Sequence, residues 1–198
     1  MIEKEPEYKV VGEAADGRKG VEVVDRLQPD AVIMDIAMPG LNGIEATLRI
    51  KKQNPQIKVL ILSMHLDKAY VSETLRAGAS AYLVKEQASD ELVPAIKAVL
   101  SGKTYLSPGA TDLVLQDFLE TGSTAPEATA FTELTKRERE VLQSISEGKS
   151  VREIGESLHI SPKTVETHRR NIMERLNIRS VAGLTRYAIR HGLTSADT

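Results

Sequence analysis

The sequence predicts an α/β unit built on a parallel sheet, followed by a small all-α unit of four helices. Three observations carry this. Over residues 8–105, short β-prone runs alternate with amphipathic stretches, the pattern of strands joined by right-handed helical crossovers. Residues 121–130 (TGSTAPEATA) are small and polar with a proline, as in a linker. From residue 132 to 195 no strand pattern occurs, and four helix starts are readable from their caps. The expected organisation is a first unit over 1–105, a linker with a short helix over 106–130 and a second unit over 131–198.

The expected strands are YKVVGEA (8–14), DAVIMD (30–35), KVLILS (58–63) and AYLVK (81–85). The second and third are nearly continuous apolar runs, as parallel strands buried on both faces should be. Between them, Val21, Val24 and Leu27 repeat at three-residue spacing in 17–28, and Ile44, Leu48 and Ile50 mark an apolar face in 43–53. Residues 67–77 and 89–101 complete the alternation, and LVLQDFL after Pro108 reads as the short helix. In the second unit, Thr135 with Glu138 and Ser150 with Glu153 form capping boxes. Gly148 suits the end of the first of these helices. Ser161 before Pro162 starts a third helix, and Ser180 starts a fourth that runs to about Arg190, before Gly192.

Composition narrows the function classes. The chain has 198 residues, 41% hydrophobic and 27% charged, and no cysteine, so it has no disulfide, thiol nucleophile or cysteine zinc site. No apolar run approaches membrane-spanning length, and the N-terminus MIEKEPEYKV is too charged for a signal peptide. A soluble cytoplasmic protein with no membrane partner is expected. Aromatic residues are 4% and tryptophan is absent, which disfavours base stacking on single strands. The net charge of −2 is uneven: residues 132–198 hold 12 Lys/Arg against 9 Asp/Glu, and 161–190 hold 7 against 2. A basic stripe on the C-terminal unit alone suggests nucleic acid at that end.

In the first unit, Asp35 ends a buried strand and is followed by DIAMPGLNG (35–43), whose proline and glycines leave access to it. In an open parallel sheet, ligands bind at the carboxyl ends of strands. Ser63 ends the next strand and Lys85 the one after, with Tyr82 on that same strand. A carboxylate, a hydroxyl and an ammonium on one rim suit a phosphoryl group on Asp35, neutralised by Lys85 and hydrogen-bonded by Ser63.

The segments MDIAMPGLNG, LILSMH and AYLVKE resemble the receiver domain of two-component response regulators over about residues 1–105. The resemblance implies a flavodoxin-like fold, with Asp35 as phosphoacceptor, Ser63 and Tyr82 as the switch pair, Lys85 as the phosphate-sensing cation, and a sensor histidine kinase as partner. It also implies Mg²⁺, held by the phosphoacceptor together with an acidic pair at the end of a first strand. Met1 to Glu7 corresponds only to the end of the family's first helix, so the receiver is expected to be N-terminally truncated. It lacks the strand that lies between 8–14 and 30–35 in the family's sheet. Glu3, Glu5 and Glu7 cannot be carried over as metal ligands, and Asp35 alone makes an incomplete Mg²⁺ site. Two readings stand: a truncated product or misplaced start, or a degenerate receiver that signals without phosphorylation. An aspartate-based hydrolase would need a second acid where Ala37 stands, and His65 reads as solvated surface, so no enzyme and no catalytic residue is expected.

In the second unit, 151–157 and 162–175 joined by LHIS (158–161) fit a helix-turn-helix. Val165, Ile172, Met173 and Leu176 share one side of the second helix, and Lys163, Glu166, Thr167 and Arg170 share the other. Arg170 suits a guanine edge, Thr167 a thymine methyl and Glu166 a cytosine amine. Lys163, Thr164 and Arg169 suit phosphates. Glu166 avoids repelling the phosphates if it meets a base donor or pairs with Arg170. The run LTKREREVLQSISEGKSVREIGESLHISPKTVETHRRNIMERLNI resembles the LuxR-type helix-turn-helix of NarL/FixJ-class response regulators over 131–195. That resemblance implies recognition of double-stranded DNA around 163–170, a packing and phosphate role for His168, and a homodimer on DNA through the last helix, where Val181, Leu184 and Ala188 form an apolar stripe. The expected function is a DNA-binding transcriptional regulator of a two-component phosphorelay. The alternatives are a phosphorylation-independent DNA-binding regulator or a receiver fragment that sequesters a kinase or other partner.

Overall fold

The computed structural model of the chain describes residues 2, 5–64, 66–120 and 133–194. The linker expected at 121–130 and His65 lie outside the described residues. The described residues fall into two compact units, the first ending with the residues up to 120 and the second beginning with those from 133.

The first unit runs α1 (Gly17–Leu27), β1 (Ala31–Asp35), α2 (Gly43–Gln53), β2 (Lys58–Ser63), α3 (Lys68–Arg76), β3 (Ala81–Val84), α4 (Ala88–Leu100), β4 (Tyr105–Leu106) and α5 (Pro108–Glu120). The four strands form one parallel sheet in the order β1-β2-β3-β4. The helix α4 packs on the face that carries Leu60, Ala81 and Leu83, where Leu92, Ala95, Ile96 and Val99 complete a buried cluster. The alternate residues Val59, Ile61 and Tyr82 are buried as well, so β2 and β3 are covered on both faces, whereas in β1 only Met34 is buried and Ile33 is exposed. The helices begin where polar caps meet apolar periodicity: Asp16 accepts from Lys19 N at α1 and Asn42 from Glu45 N at α2, each at 2.9 Å. Beyond residue 105 the unit gains two elements. β4 extends the sheet, and α5 packs on α3.

One expected strand does not form. Residues 8–14 are not in the sheet, and residues 9–14 make no backbone hydrogen bond to another described residue. The run has strand-like composition, but a strand exists only by pairing, and β1 on the far side of the gap pairs with β2 alone. Among the described residues the sheet has an open edge at β1.

The second unit contains α6 (Lys136–Ser146), α7 (Val151–Leu158), α8 (Pro162–Arg175) and α9 (Val181–Arg190). Both expected capping boxes are present, Thr135 with Glu138 and Ser150 with Glu153. The core gathers Leu134, Val141, Leu142, Ile154, Leu158, Val165, Ile172, Leu184, Ala188 and Leu193. The turn after α7 is tight: His159 is left-handed (φ 55°) and Ile160 N donates to Gly155 O at 2.9 Å. A Cβ at residue 155 would lie 2.8 Å from the Ile160 carbonyl oxygen, so glycine is required there.

The expected dimer stripe needs correction. Leu184 and Ala188 are fully buried in the unit's own core, and of the three only Val181 is exposed. A four-helix unit this small has no spare apolar face on its last helix, since that face closes the core. Leu184→Ala should therefore lower the stability of the second unit by about 2–5 kcal/mol, whereas Val181→Ser should stay within about 0.5 kcal/mol. Urea denaturation of the full chain followed by amide hydrogen exchange in 136–190 measures both.

Candidate functional sites: the Asp35 rim and the α8 surface

The parallel register places Asp35 beside Leu62 and Ser63 beside Val84. Asp35, Ser63 and Lys85 thus reach the same carboxyl-end rim. Lys85 Nζ lies 2.5 Å from Asp35 Oδ2, with both side chains about one-third exposed (33% and 34%), and Ala37 N donates to Asp35 Oδ1 at 3.2 Å. The chain then turns sharply. Met38 N and Gly43 N both donate to Ile36 O, at 3.0 and 2.9 Å, and a Cβ on Gly43 would run into the Asp35 carbonyl. Gly43 is therefore part of how Asp35 is presented.

Ser63 and Tyr82 are both buried, and their side chains are hydrogen-bonded to each other. Burial pushes the Tyr82 phenol up to about 12, against the lowering effect of the Ser63 bond, and Asp67 adds to the rise. Tyr70 is buried nearby and is also pushed up, first by burial, then by Asp67 and Tyr82. Sequence reasoning missed Tyr70: its only signal is an aromatic residue on a weakly periodic helix.

Among the described residues no group of three or more His, Asp or Glu side chains is placed to hold a metal ion. Mg²⁺ requires about six oxygens in near-octahedral array, and one Asp35 oxygen already bonds the Lys85 ammonium. The described residues do not fit a Mg²⁺ site.

On α8, Ser161 Oγ accepts from Thr164 N at 3.1 Å and lies 2.8 Å from Thr164 Oγ1. Val165 and Ile172 are fully buried, and Met173 and Leu176 pack against the same core. Lys163, Glu166, Thr167 and Arg170 are exposed. With Arg169, Met173 and Glu174 they line a shallow depression of about 540 Å³. Glu166 pairs with Arg169 at 2.7 Å, not with Arg170, because one turn brings i and i+3 together as readily as i and i+4. Arg170 makes no ion pair among the described residues. Thr167 Oγ1 donates to Lys163 O at 3.0 Å.

His168 departs from the exposed group. It is half-buried, its Nδ1 is enclosed without a hydrogen-bond partner among the described residues, and it lies close enough to Glu138 to favour that carboxylate's ionised form. Burial pushes Glu138 up, but the Thr135 backbone N–H and hydroxyl, then Arg175 at 3.4 Å, then His168, outweigh it and leave Glu138 below its ordinary value.

Two family models match the chain: the response regulator receiver domain over residues 1–97, and the bacterial regulatory proteins of the luxR family over 132–188. The transcriptional regulatory protein DegU of Brevibacillus brevis is 40% identical over 190 residues, covering 90% of this chain and 80% of DegU. The chain belongs to the NarL/FixJ class of two-component response regulators. The response regulator UvrY of Escherichia coli strain K12 is 38% identical, covering 96% of this response regulator and 86% of UvrY. Among solved structures, a LuxR-family two-component response regulator from Aurantimonas sp. SI85-9A1 matches with a TM-score of 0.57 at 37% identity, over 60% of this chain and 84% of that one. RcsB from Salmonella enterica serovar Typhimurium, bound to promoter rprA in the presence of phosphomimetic BeF3-, matches with a TM-score of 0.59 at 25% identity, over 94% and 88%. No described helix of this response regulator is long and apolar enough to cross a membrane.

The buried tyrosines set an alkaline limit on the receiver. A phenol whose folded pKa is raised above its unfolded value of about 10 contributes stability that is complete below pH 10 and lost as pH rises through the folded pKa. For Tyr82 that window runs from about 10 to about 12. Tyrosinate absorbance near 295 nm should therefore show a late rise that coincides with unfolding, and Tyr82→Phe should remove part of it.

Proposed function

We propose that this response regulator binds double-stranded DNA as a homodimer, with α8 in the major groove. Glu166, Thr167 and Arg170 face base edges, and Lys163, Thr164 and Arg169 hold phosphates. The observation that carries this reading is the exposed Arg170 guanidinium, without an ion pair, in a depression also lined by Lys163, Glu166 and Thr167. A free guanidinium is positioned to chelate a guanine, whereas a paired one would first have to break its ion pair. The 2.7 Å Glu166–Arg169 pair offsets the repulsion that Glu166 alone would meet from phosphates. His168, half-buried and close to Glu138, contributes by packing and by a phosphate contact. Of the dimer stripe only Val181 is available to a second copy. That RcsB has been solved on DNA, including as two dimers bound to two parallel DNAs, agrees with this reading.

The receiver is read as residues 1–105, the linker as 106–130 and the DNA reader as 131–198, acting in the cytoplasm by binding and not by turnover. Asp35 is the phosphoacceptor, supplied by a sensor histidine kinase. In that transfer an Asp35 oxygen bonds to phosphorus as the bond from phosphorus to the donor histidine's ring nitrogen breaks and the imidazole leaves. Lys85, already 2.5 Å from Asp35, offsets one negative charge on the product, with Ser63 and Tyr82 as the pair that responds. One cation is insufficient to offset the charge on the transferring oxygens, so transfer to Asp35 in this chain alone is expected to be slow.

Arg170→Ala should cost about 1–3 kcal/mol at a specific site and relax base preference there. Lys163→Ala should weaken all sequences alike and reduce the salt slope by about one. Salt titrations on selected and random duplexes separate the two, and equal loss of specificity in both variants would refute the division of roles.

With acetyl phosphate and Mg²⁺, intact-mass measurements should show slow or no addition of a phosphoryl group, and Asp35→Asn should leave DNA binding nearly unchanged. Rapid Mg²⁺-dependent addition of one phosphoryl group, lost in Asp35→Asn, would overturn this expectation.

A further inference from the structure

The turn between α7 and α8 sets where the reading helix begins, and one carbonyl in it cannot be satisfied by the helix pattern. In a continuing helix, Leu158 O would accept from the backbone N–H four residues on. That residue is Pro162, which has no N–H. Leu158 is 4% exposed, so little water reaches it, and a buried carbonyl left without a donor is costly. Gly155 O has a local solution, since Ile160 N donates to it at 2.9 Å. Leu158 O takes its donor from another helix: Nη2 of Arg137, in the first turn of α6.

The other terminal nitrogen of that guanidinium, Nη1, donates to Glu140 Oε2 at 2.7 Å. Glu140 stands one turn further along α6, and its side chain is buried. A guanidinium is planar and its donors keep fixed directions. Its two bonds, one to a buried carboxylate of α6 and one to the last carbonyl of α7, therefore act as a strut of set length between the helices. The charge adds to the effect, because a cation is favoured at a helix C-terminus. Leu158 stands three residues ahead of Ser161, which caps α8. His159 is already left-handed and Gly155 admits no Cβ, so holding the Leu158 carbonyl leaves the turn little freedom. Arg137 is not among the residues that line the depression on α8.

We propose that Arg137 is a positioning residue for base recognition: without contacting DNA, it fixes the end of α7 and thereby the placement of Glu166, Thr167 and Arg170 at base edges. The proposal rests on the reading of α8 as the DNA-reading helix. Recognition needs its side chains held to within about 0.5 Å, whereas attraction to phosphates is independent of sequence. Losing the strut should cost specificity and spare general affinity.

The test uses the full chain with Arg137→Met, which keeps a long stem without the donors, and Arg137→Lys, which keeps the charge without the fork. Ile145→Val, a core change in the same helix, is the control for lost stability. Binding is followed by fluorescence anisotropy over a salt series, under conditions where urea denaturation shows each variant folded. The probes are a duplex selected from a random pool by the unsubstituted chain, and random duplex. Arg137→Met should bind the selected duplex about tenfold more weakly, comparable to the loss of one base contact, with less than about a twofold change on random duplex. Its salt slope should be unchanged, and Arg137→Lys should fall between it and the unsubstituted chain. In hydrogen exchange of the free protein, Arg137→Met should lose protection at Ile160, Thr164 and Val165 and keep it in α9. A salt slope lowered by about one would overturn the proposal by making Arg137 a phosphate contact. So would equal weakening on both duplexes, unchanged binding of the selected duplex, or an equal loss of preference in Ile145→Val. Arg170→Ala, measured alongside, reports on the α8 reading separately, since it should relax base preference with the Ile160 amide undisturbed.

Discussion

The parallel register of β1, β2 and β3 is the constraint on which the first unit depends. Because all three strands point the same way, their carboxyl ends emerge on one rim, and residues far apart in the chain become neighbours there. Asp35 and Lys85 meet at 2.5 Å because β2 lies between their strands in register, with Asp35 beside Leu62 and Ser63 beside Val84. The same register encloses β2, with Val59, Leu60 and Ile61 fully buried. Its continuous apolar run is therefore a consequence of its position as well as a cause of it. The close turn after Asp35 follows in turn: α2 must start directly over the strand end, and only glycine at 43 leaves room for the Asp35 carbonyl.

The second unit solves a different problem, which is to hold one helix rigid while leaving one of its faces unoccupied. Val165 and Ile172 anchor α8 in the core. The Thr135–Glu138 capping box ties the start of α6 to the same region, since Glu138 also faces Arg175 at 3.4 Å and lies near His168. A cap of this kind is worth about 1 kcal/mol, and here it also gives a buried carboxylate its partners. The outward face is left with a mixed population: an ion pair between Glu166 and Arg169, a back-bonded Thr167, and an Arg170 with no ion pair. Which arginine is paired decides which is available, and that choice rests on a difference of one residue in helical spacing.

The edge of the sheet shows the limit of local preference. Val10 and Val11 have the composition of a strand and yet lie exposed outside the sheet. A strand's stability comes from cross-strand bonds and packing, and among the described residues these valines have no strand to pair with.

Most helices and the strands β1 to β3 were legible in the sequence because their signals are local. Caps such as Thr135, Ser150 and Ser161 act within one turn, and apolar periodicity needs no knowledge of what covers it. The Asp35, Ser63 and Lys85 rim was legible for a related reason: strand ends in a parallel sheet share an edge whatever the details of packing. What only the tertiary structure decided were questions of partnership. Residues 8–14 stay outside the sheet because pairing requires a neighbour. Leu184 and Ala188 serve the core because a small four-helix unit has no apolar face to spare. Ser63 and Tyr82 bond each other inside the fold, and Glu166 takes Arg169 in place of Arg170. A sequence states what each residue is able to do. Which of several capable partners it meets depends on distances set by the whole chain, and those exist only after folding.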